Sequence, residues 1–311
     1  MANDDFQGKV VQSKKRPLSY ILFDSFNYVL FALFTLICAY PFYYVIINSI
    51  SANDISARGE VLWYPVGVHF RNYVSVTQLN GLLRSAGISV ARTVIGTTGT
   101  CMGCSFLGFM FTQEKMWHRK FWYRFVVATM YFSAGIIPHY ITMKTLGLTN
   151  TFWIYVVPAI VQPYNIILIK TYIENTPKEL QEAAEVDGAG ITKVFFSIML
   201  PLIKPILATI AIFAAVGQWN AFQDTLIYIT DSKLNTLQFT LYQYINQAAS
   251  LARMVEANNG DLSVLGNSAV QQTATSVRMT VAVVVVLPIL FVYPIFQRFF
   301  VKGIMIGAVK G

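Results

Sequence analysis

The sequence predicts an all-α integral membrane protein with six transmembrane helices, both termini in the cytoplasm, and a cytoplasmic helix-turn-helix between spans 4 and 5. Three observations carry this. Of its 311 residues, 55% are hydrophobic and 12% charged, with a mean hydropathy of +0.52, whereas a soluble domain carries about 25% charge. Several stretches approach the ~20 apolar residues that a helix needs to cross hydrocarbon. Lipid offers the backbone no hydrogen-bond partners, so those stretches must be helices.

The spans are read at 26–50, 93–112, 125–143, 152–172, 205–229 and 279–297, with residues 1–25 before them and a tail at 298–311. The polar start precedes a long apolar run without an obvious small-residue cleavage site, so the first span is expected to be retained rather than removed as a signal peptide. Prolines lie inside or at the ends of most spans (Pro41, Pro138, Pro158, Pro163, Pro288, Pro294), where they bend membrane helices. Most of the 23 basic residues, among them Lys14, Lys15, Lys115, Arg119, Lys120, Arg124, Lys170, Lys204, Arg298 and Lys302, fall on the side of the termini. That side is therefore cytoplasmic. The other side holds Arg58, Arg71, Arg84, Lys144, Lys233, Arg253 and Arg278, with Arg92 expected to snorkel there from the end of span 2.

The net charge of +8 does not indicate nucleic acid, because the basic residues sit at span ends and form no aromatic-interleaved patch. Cys101 and Cys104 read C-x-x-C. No second pair or nearby histidine accompanies them, and Gly96, Gly99, Gly103 and Gly108 surround them, so the pattern favours close helix packing over a metal or redox site. His69, His118 and His139 fall in an outer loop, an inner loop and a span, which does not suit an enzyme. The spans also lack the inverted repeats and deep charges of an ion-driven carrier.

Two outer segments, 51–92 and 230–278, and one inner segment, 173–204, are too long to be mere connectors. The outer ones carry Trp63, Tyr64, Tyr73, Tyr242 and Tyr244 and suit interfacial helices or a surface for a soluble partner. In the inner segment Thr176 reads as an N-cap, Pro177 as the first helical residue and Glu179 as the far end of a capping box. Gly188 or Gly190 can end this short helix in the left-handed conformation, and a second is expected from Ile191 to about Pro201. Ala183 and Ala184 keep one flank shallow beside Glu179, Glu182 and Glu185. Such a helix is shaped to be gripped by a cytoplasmic partner.

Glu182-Ala183-Ala184, then Gly188, then Ile198-x-Leu200-Pro201 resembles the EAA loop of permease subunits of ATP-binding-cassette importers. Asp187-Gly188-Ala189, Trp219-Asn220 and the tail Phe300-Val301-Lys302-Gly303 are similar to the carbohydrate-uptake branch and its maltose-type "G" subunits. The long N-terminus, with Tyr40-Pro41-Phe42, looks like the subgroup for oligosaccharides from polysaccharide breakdown. Gly190 departs from the small residue such as serine often found there, and 248–272 is longer than the pattern.

The resemblance implies that Glu182, Ala183, Ala184, Asp187 and Gly188 engage an ATPase. It also implies a second, similar permease chain, two ATPase subunits, and an external binding protein docking around Tyr73, Tyr242, Tyr244 and Asn246. ATP and Mg would sit on the partner ATPase, and no cofactor on this chain, which has no G-x-x-x-x-G-K-[ST] sequence. A carbohydrate path is expected along Gln218, Trp219, Asn220, Gln223 and Asp224, with Trp219 sharing a helix face with Gln223, and Asn220 with Asp224. Asn165, Tyr164 and His139 are further lining candidates. A membrane histidine serves equally well as a packing residue.

Overall fold

The computed structural model describes residues 18–77, 81–257 and 275–290, and among these the chain is helical with no strands. Two helices are long and apolar enough to cross a bilayer unaided: α1 (Leu18–Ser49), through its segment Ser19–Ser49, and α4 (Leu82–Met110). Between them lie the short helices α2 (Asn53–Ala57) and α3 (Arg71–Thr77). α4 starts well before residue 93, so segment 51–92 is not a single outer loop.

The remaining apolar stretches are interrupted, each for a local reason. Stretch 125–143 divides into α5 (Arg119–Thr129) and α6 (Ile136–Thr145). The break ends at Gly135, whose φ of 82° and ψ of 178° are accessible to glycine alone at little cost. Stretch 152–172 begins as short 3-10 turns, Phe152–Tyr155 and Val157–Ala159, and resumes as α7 (Pro163–Glu174) after a 42° bend. Pro158 and Pro163 explain the change, because neither supplies an N–H to an α-helical ladder.

The inner segment, 173–204, holds α8 (Glu179–Val186), α9 (Ile191–Lys193), a π-helical stretch Val194–Met199 and α10 (Leu200–Leu202). Pro201 cannot donate to the carbonyl four residues back, and the ladder widens just before it. An 80° bend then leads into α11 (Lys204–Asn220). Stretch 205–229 also breaks: Ala221 leaves the helical region at ψ 122°, and α12 (Gln223–Tyr228) follows. α13 (Leu237–Ala257) and an apolar helix, Thr275–Leu290, here α14, complete the described elements. Residues 291–297 of the sixth expected span, the tail at 298–311 and the first seventeen residues lie outside the described residues.

α4 is the spine of the fold. Some of its glycines closely face neighbouring segments: a Cβ on Gly103 would lie 2.8 Å from the Ile160 carbonyl oxygen, and one on Gly108 2.8 Å from Ile169 Cγ2. The interrupted stretch 160–162 is hydrogen-bonded by α4 itself. Thr100 Oγ1 donates to the Ala159 carbonyl at 2.8 Å, and Cys104 Sγ donates to that of Ile160 at 3.4 Å. Non-helical backbone at membrane depth thereby finds its partners inside the protein. The C-x-x-C pair is thus a packing feature: all three cysteines are free thiols and Cys104 is buried.

Three apolar clusters follow from this arrangement. The first joins Phe109 and Phe111 to Ile166, Ile169 and Ile173 of α7 and to Ala184, Val194, Phe195 and Met199 of the inner segment. The second joins α3, α4, α13 and α14 through Val76, Leu82, Leu237, Leu241, Val281 and Val285. The third packs Ile154 and Tyr155 on Tyr228.

Replacing Gly103 by alanine forces Cβ against the Ile160 backbone and is expected to cost about 1–3 kcal/mol. Gly87, also on α4, has open space around it, and Gly87→Ala should be neutral or stabilising by up to about 1 kcal/mol. Thermal unfolding of the two variants in lipid nanodiscs compares them directly.

Candidate functional site

At the C-terminal end of α11 lies a cavity of about 400 Å³, walled by Arg92, Gln162, Asn165, Gln218, Asp224 and Tyr228, with His139, Tyr155 and Phe213 also in its lining. Its volume falls within the roughly 300–1,000 Å³ of small-molecule pockets. Arg92 organises it. Nε donates to Gln218 Oε1 at 3.0 Å, Nη1 to the Ala221 carbonyl at 3.0 Å and Nη2 to Asp224 Oδ2 at 2.6 Å. The guanidinium lies 4.4 Å above the centre of the Tyr155 ring.

The position of Arg92 corrects the snorkelling expectation: its side chain is 1% exposed, while that of Asp224 is 37% exposed. Burial is tolerated because each face of the fork has an acceptor and the ring supplies a cation–π contact. The break after Asn220 is what makes this possible, since it releases the Ala221 carbonyl and brings Asp224 round on a separate helix. Gln218 is held the other way by donating from Nε2 to the Tyr155 carbonyl at 3.1 Å. A Cβ on Gly96 would come within 2.6 Å of Gln218 Nε2, so glycine there leaves room for the amide.

Tyr155 extends the network outward. Its hydroxyl donates to the Leu234 carbonyl at 2.8 Å and shares a hydrogen bond with Thr225 Oγ1 at 3.0 Å. On the opposite wall, His139 Nδ1 and the Tyr228 hydroxyl are 2.6 Å apart, and Tyr140 stacks on the Tyr228 ring.

Of the residues expected along the path, Gln218, Asp224 and Asn165 line this cavity, and His139 joins them. Trp219, Asn220 and Gln223 do not. Trp219 points toward α14, donating from Nε1 to the Val285 carbonyl at 3.0 Å, while Asn220 and Gln223 are exposed. The shared faces expected at four-residue spacing are lost because Ala221 interrupts the helix. Tyr164 is exposed and outside the lining. Arg92 is the residue that sequence reasoning missed; a lone arginine in a glycine-rich apolar stretch, with an aspartate at the end of another, was the available signal.

The inner segment is the second candidate site. Glu182, Ala183 and Asp187 are exposed, whereas Ala184 is buried in the first apolar cluster. Thus the E-A-A triplet divides, two residues outward and one inward. α8 ends in a Schellman turn: the Ala189 N–H donates to the Ala184 carbonyl at 2.9 Å and the Gly188 N–H to that of Glu185 at 3.1 Å. Gly188 takes φ +77°, which glycine adopts without strain.

The expected capping box is absent. α8 starts at Glu179 with no side-chain cap, and Thr176 Oγ1 instead donates to the Tyr172 carbonyl at 3.1 Å. The last turn of α7 presents carbonyls only a few residues away, and the hydroxyl adds a bond to one that the Asn175 N–H also reaches.

Polar contacts bind α8 to the loop after α4. Gln181 Nε2 donates to Gln113 Oε1 at 2.7 Å, and Lys115 Nζ meets Glu185 Oε2 at 2.8 Å. Hydrogen bonds from Gln181 and Lys115, with the lysine's charge, hold the Glu185 carboxyl below its ordinary value. The same pairing raises Lys115.

Among the residues expected to dock a binding protein, Asn246 is exposed and the tyrosines are partly committed to packing. The Tyr73 hydroxyl hydrogen-bonds Ser49 Oγ at 2.7 Å, Tyr242 stacks on Phe222, and Tyr244 packs on the second apolar cluster. α3 and α13, which carry the three tyrosines, meet in that cluster.

Removing one partner of the buried ion pair should be more damaging than removing both. Asp224→Ala, which strands the Arg92 guanidinium, is expected to lose about 3–5 kcal/mol, and the double variant Arg92→Met/Asp224→Leu to recover much of it. Chemical denaturation of the purified proteins tests this ordering.

The chain is 35% identical over 271 residues to Protein LplC of Bacillus subtilis (strain 168), covering 87% of this chain and 89% of that protein. It is 32% identical over 290 residues to the polygalacturonan/rhamnogalacturonan transport system permease protein YtcP of the same organism, covering 93% and 99%. Its fold matches a chain in the crystal structure of a bacterial ABC transporter involved in the import of the acidic polysaccharide alginate. That match has a TM-score of 0.81 and 24% identity, and covers 93% of this chain and 100% of the other. The profile for the binding-protein-dependent transport system inner membrane component matches residues 10–306. The chain therefore belongs to that family, as a membrane-embedded permease subunit of an ABC transporter and not as an enzyme.

Proposed function

We propose that this chain translocates a carbohydrate, an oligosaccharide delivered by an external binding protein, with ATP hydrolysed on a separate subunit. The observation that carries the reading is mechanical continuity between the two sites. The exposed Glu182–Ala183 face of α8 is anchored through Ala184 to the cluster that holds Val194, Phe195 and Met199. That segment turns through 80° into α11, whose last turn carries Gln218 beside Arg92. Force applied to α8 thus has a path to the cavity.

In this reading Glu182, Ala183, Asp187 and Gly188 engage an ATP-binding-cassette subunit, and Ala184 transmits the load inward. Two such ATPase subunits, carrying ATP and Mg, and a second, similar permease chain complete the membrane complex. The topology has six spans with both ends in the cytoplasm. They are formed by α1, α4, α5 with α6, the bent pair ending in α7, α11 with α12, and the expected sixth span, within which α14 lies in part.

The cavity chemistry suits sugar. The exposed Phe213 ring offers an apolar face, and Asn165, Gln162 and Asp224 offer hydrogen-bonding groups for hydroxyls. The names of relatives such as YtcP support a polysaccharide fragment as cargo. A relative named for sn-glycerol-3-phosphate transport, 24% identical over 302 residues, keeps a non-sugar solute as the second reading.

Glu182→Lys reverses the outward charge and Ala183→Trp fills the shallow flank without touching the buried Ala184. Each is expected to abolish uptake and ATPase co-purification while the protein still inserts and folds. Normal transport by both variants would contradict the coupling role.

A further inference from the structure

A second cavity, of about 530 Å³, lies beyond the first toward the start of α4. Arg84 and Ser85 of α4, Lys233 from the 3-10 turn Ser232–Leu234, and Thr240, Gln243 and Tyr244 of α13 contribute to its wall. Its electrostatics differ from those around Arg92. There the cation is enclosed and neutralised by Asp224. Here two cations line one cavity, and among the described residues no carboxylate lines it and neither cation forms an ion pair.

Arg84 is already oriented. Its Nε donates to the Lys233 carbonyl at 2.9 Å, which fixes the plane of the guanidinium and leaves both Nη groups without a hydrogen-bond partner among the described residues. The acidic side chain nearest in sequence to Lys233, Asp231, is engaged by the Lys233 backbone N–H at 2.9 Å. A planar fork with free Nη groups is matched by a carboxylate, which accepts two parallel hydrogen bonds, and a lysine in the same wall adds a second charge. The surrounding hydroxyls and amides of Ser85, Thr240, Gln243 and Tyr244 suit the hydroxyl-rich remainder of a sugar.

We propose that this cavity is an entry site for the carboxylate of a uronic-acid residue in an oligosaccharide, with Arg84 and Lys233 as its charge partners. The site deepens the carbohydrate reading and depends on it. Arg84 stands eight residues before Arg92 on α4, about 12 Å along the helix. A sugar captured there has a short route to the cavity around Asp224, where the charge is already compensated.

The test uses the assembled permease–ATPase complex in nanodiscs and two probes of one backbone, trigalacturonate and its fully methyl-esterified form, measured by equilibrium dialysis. The wild-type complex should prefer the acid about tenfold or more, with the preference falling as salt rises. Arg84→Gln/Lys233→Gln should abolish the preference, and Arg84→Lys/Lys233→Arg should restore part of it. Equal binding of the two probes by the wild type, or a preference unchanged in the double glutamine variant, would overturn the proposal. If the carboxylate instead came from the binding protein, the glutamine pair would impair ATPase stimulation equally for acidic and neutral cargo, which also contradicts it. Retained stimulation by neutral-sugar-loaded binding protein, alongside failure of the preference, would separate loss of this site from failure of the importer reading.

Discussion

A guanidinium with 1% exposure inside a membrane bundle imposes its geometry on everything near it. Arg92 needs acceptors in three directions. They come from a side-chain amide, a backbone carbonyl released by a helix break, and a carboxylate on the next short helix. Remove the break after Asn220 and the Ala221 carbonyl returns to the helical ladder. The cavity exists because the helices around it are interrupted, and the interruptions persist because α4 supplies partners: Thr100 and Cys104 to one break, Arg92 to the other. The glycines of α4 make those approaches short enough for hydrogen bonds.

The same spine links the cavity to α8. Phe109 near the end of α4 packs on Phe195 with ring centres 5.4 Å apart, and the loop after α4 grips α8 through Gln113 and Lys115. α8 is therefore neither a free arm nor part of a span. It is a short helix with one side buried against the core and the other exposed. The left-handed turn at Gly188 lets the chain reverse and feed the 191–202 segment back under the same cluster.

Much of this was legible in sequence where composition or local chemistry decides the outcome. The apolar runs gave the membrane class, the Glu182–Gly188 stretch gave a short capped helix in the inner segment, and the glycines around Cys101 and Cys104 gave close packing. What was not legible depends on partners distant in sequence. Thr176 looked like an N-cap, yet a carbonyl of α7 was nearer than the amides of α8. Trp219 and Gln223 fit one helical face only if the helix continues, and nothing local at Ala221 announces that it stops. Arg92 read as a rim residue because its acceptors lie more than a hundred residues away.

The central claim is that movement of α8 reaches the cavity through α11. The direct measurement is the distance between spin labels at Leu226 on α12 and Met102 on α4, both exposed positions. It would be made by pulsed electron resonance on the assembled complex with Cys38 and Cys101 replaced. Between nucleotide-free and ATP-trapped states the account predicts a shift of about 2 Å or more, absent on adding ATP to the Glu182→Lys permease, which no longer retains the ATPase. An unchanged distance on ATP trapping, in a complex that still hydrolyses ATP and transports, would contradict it.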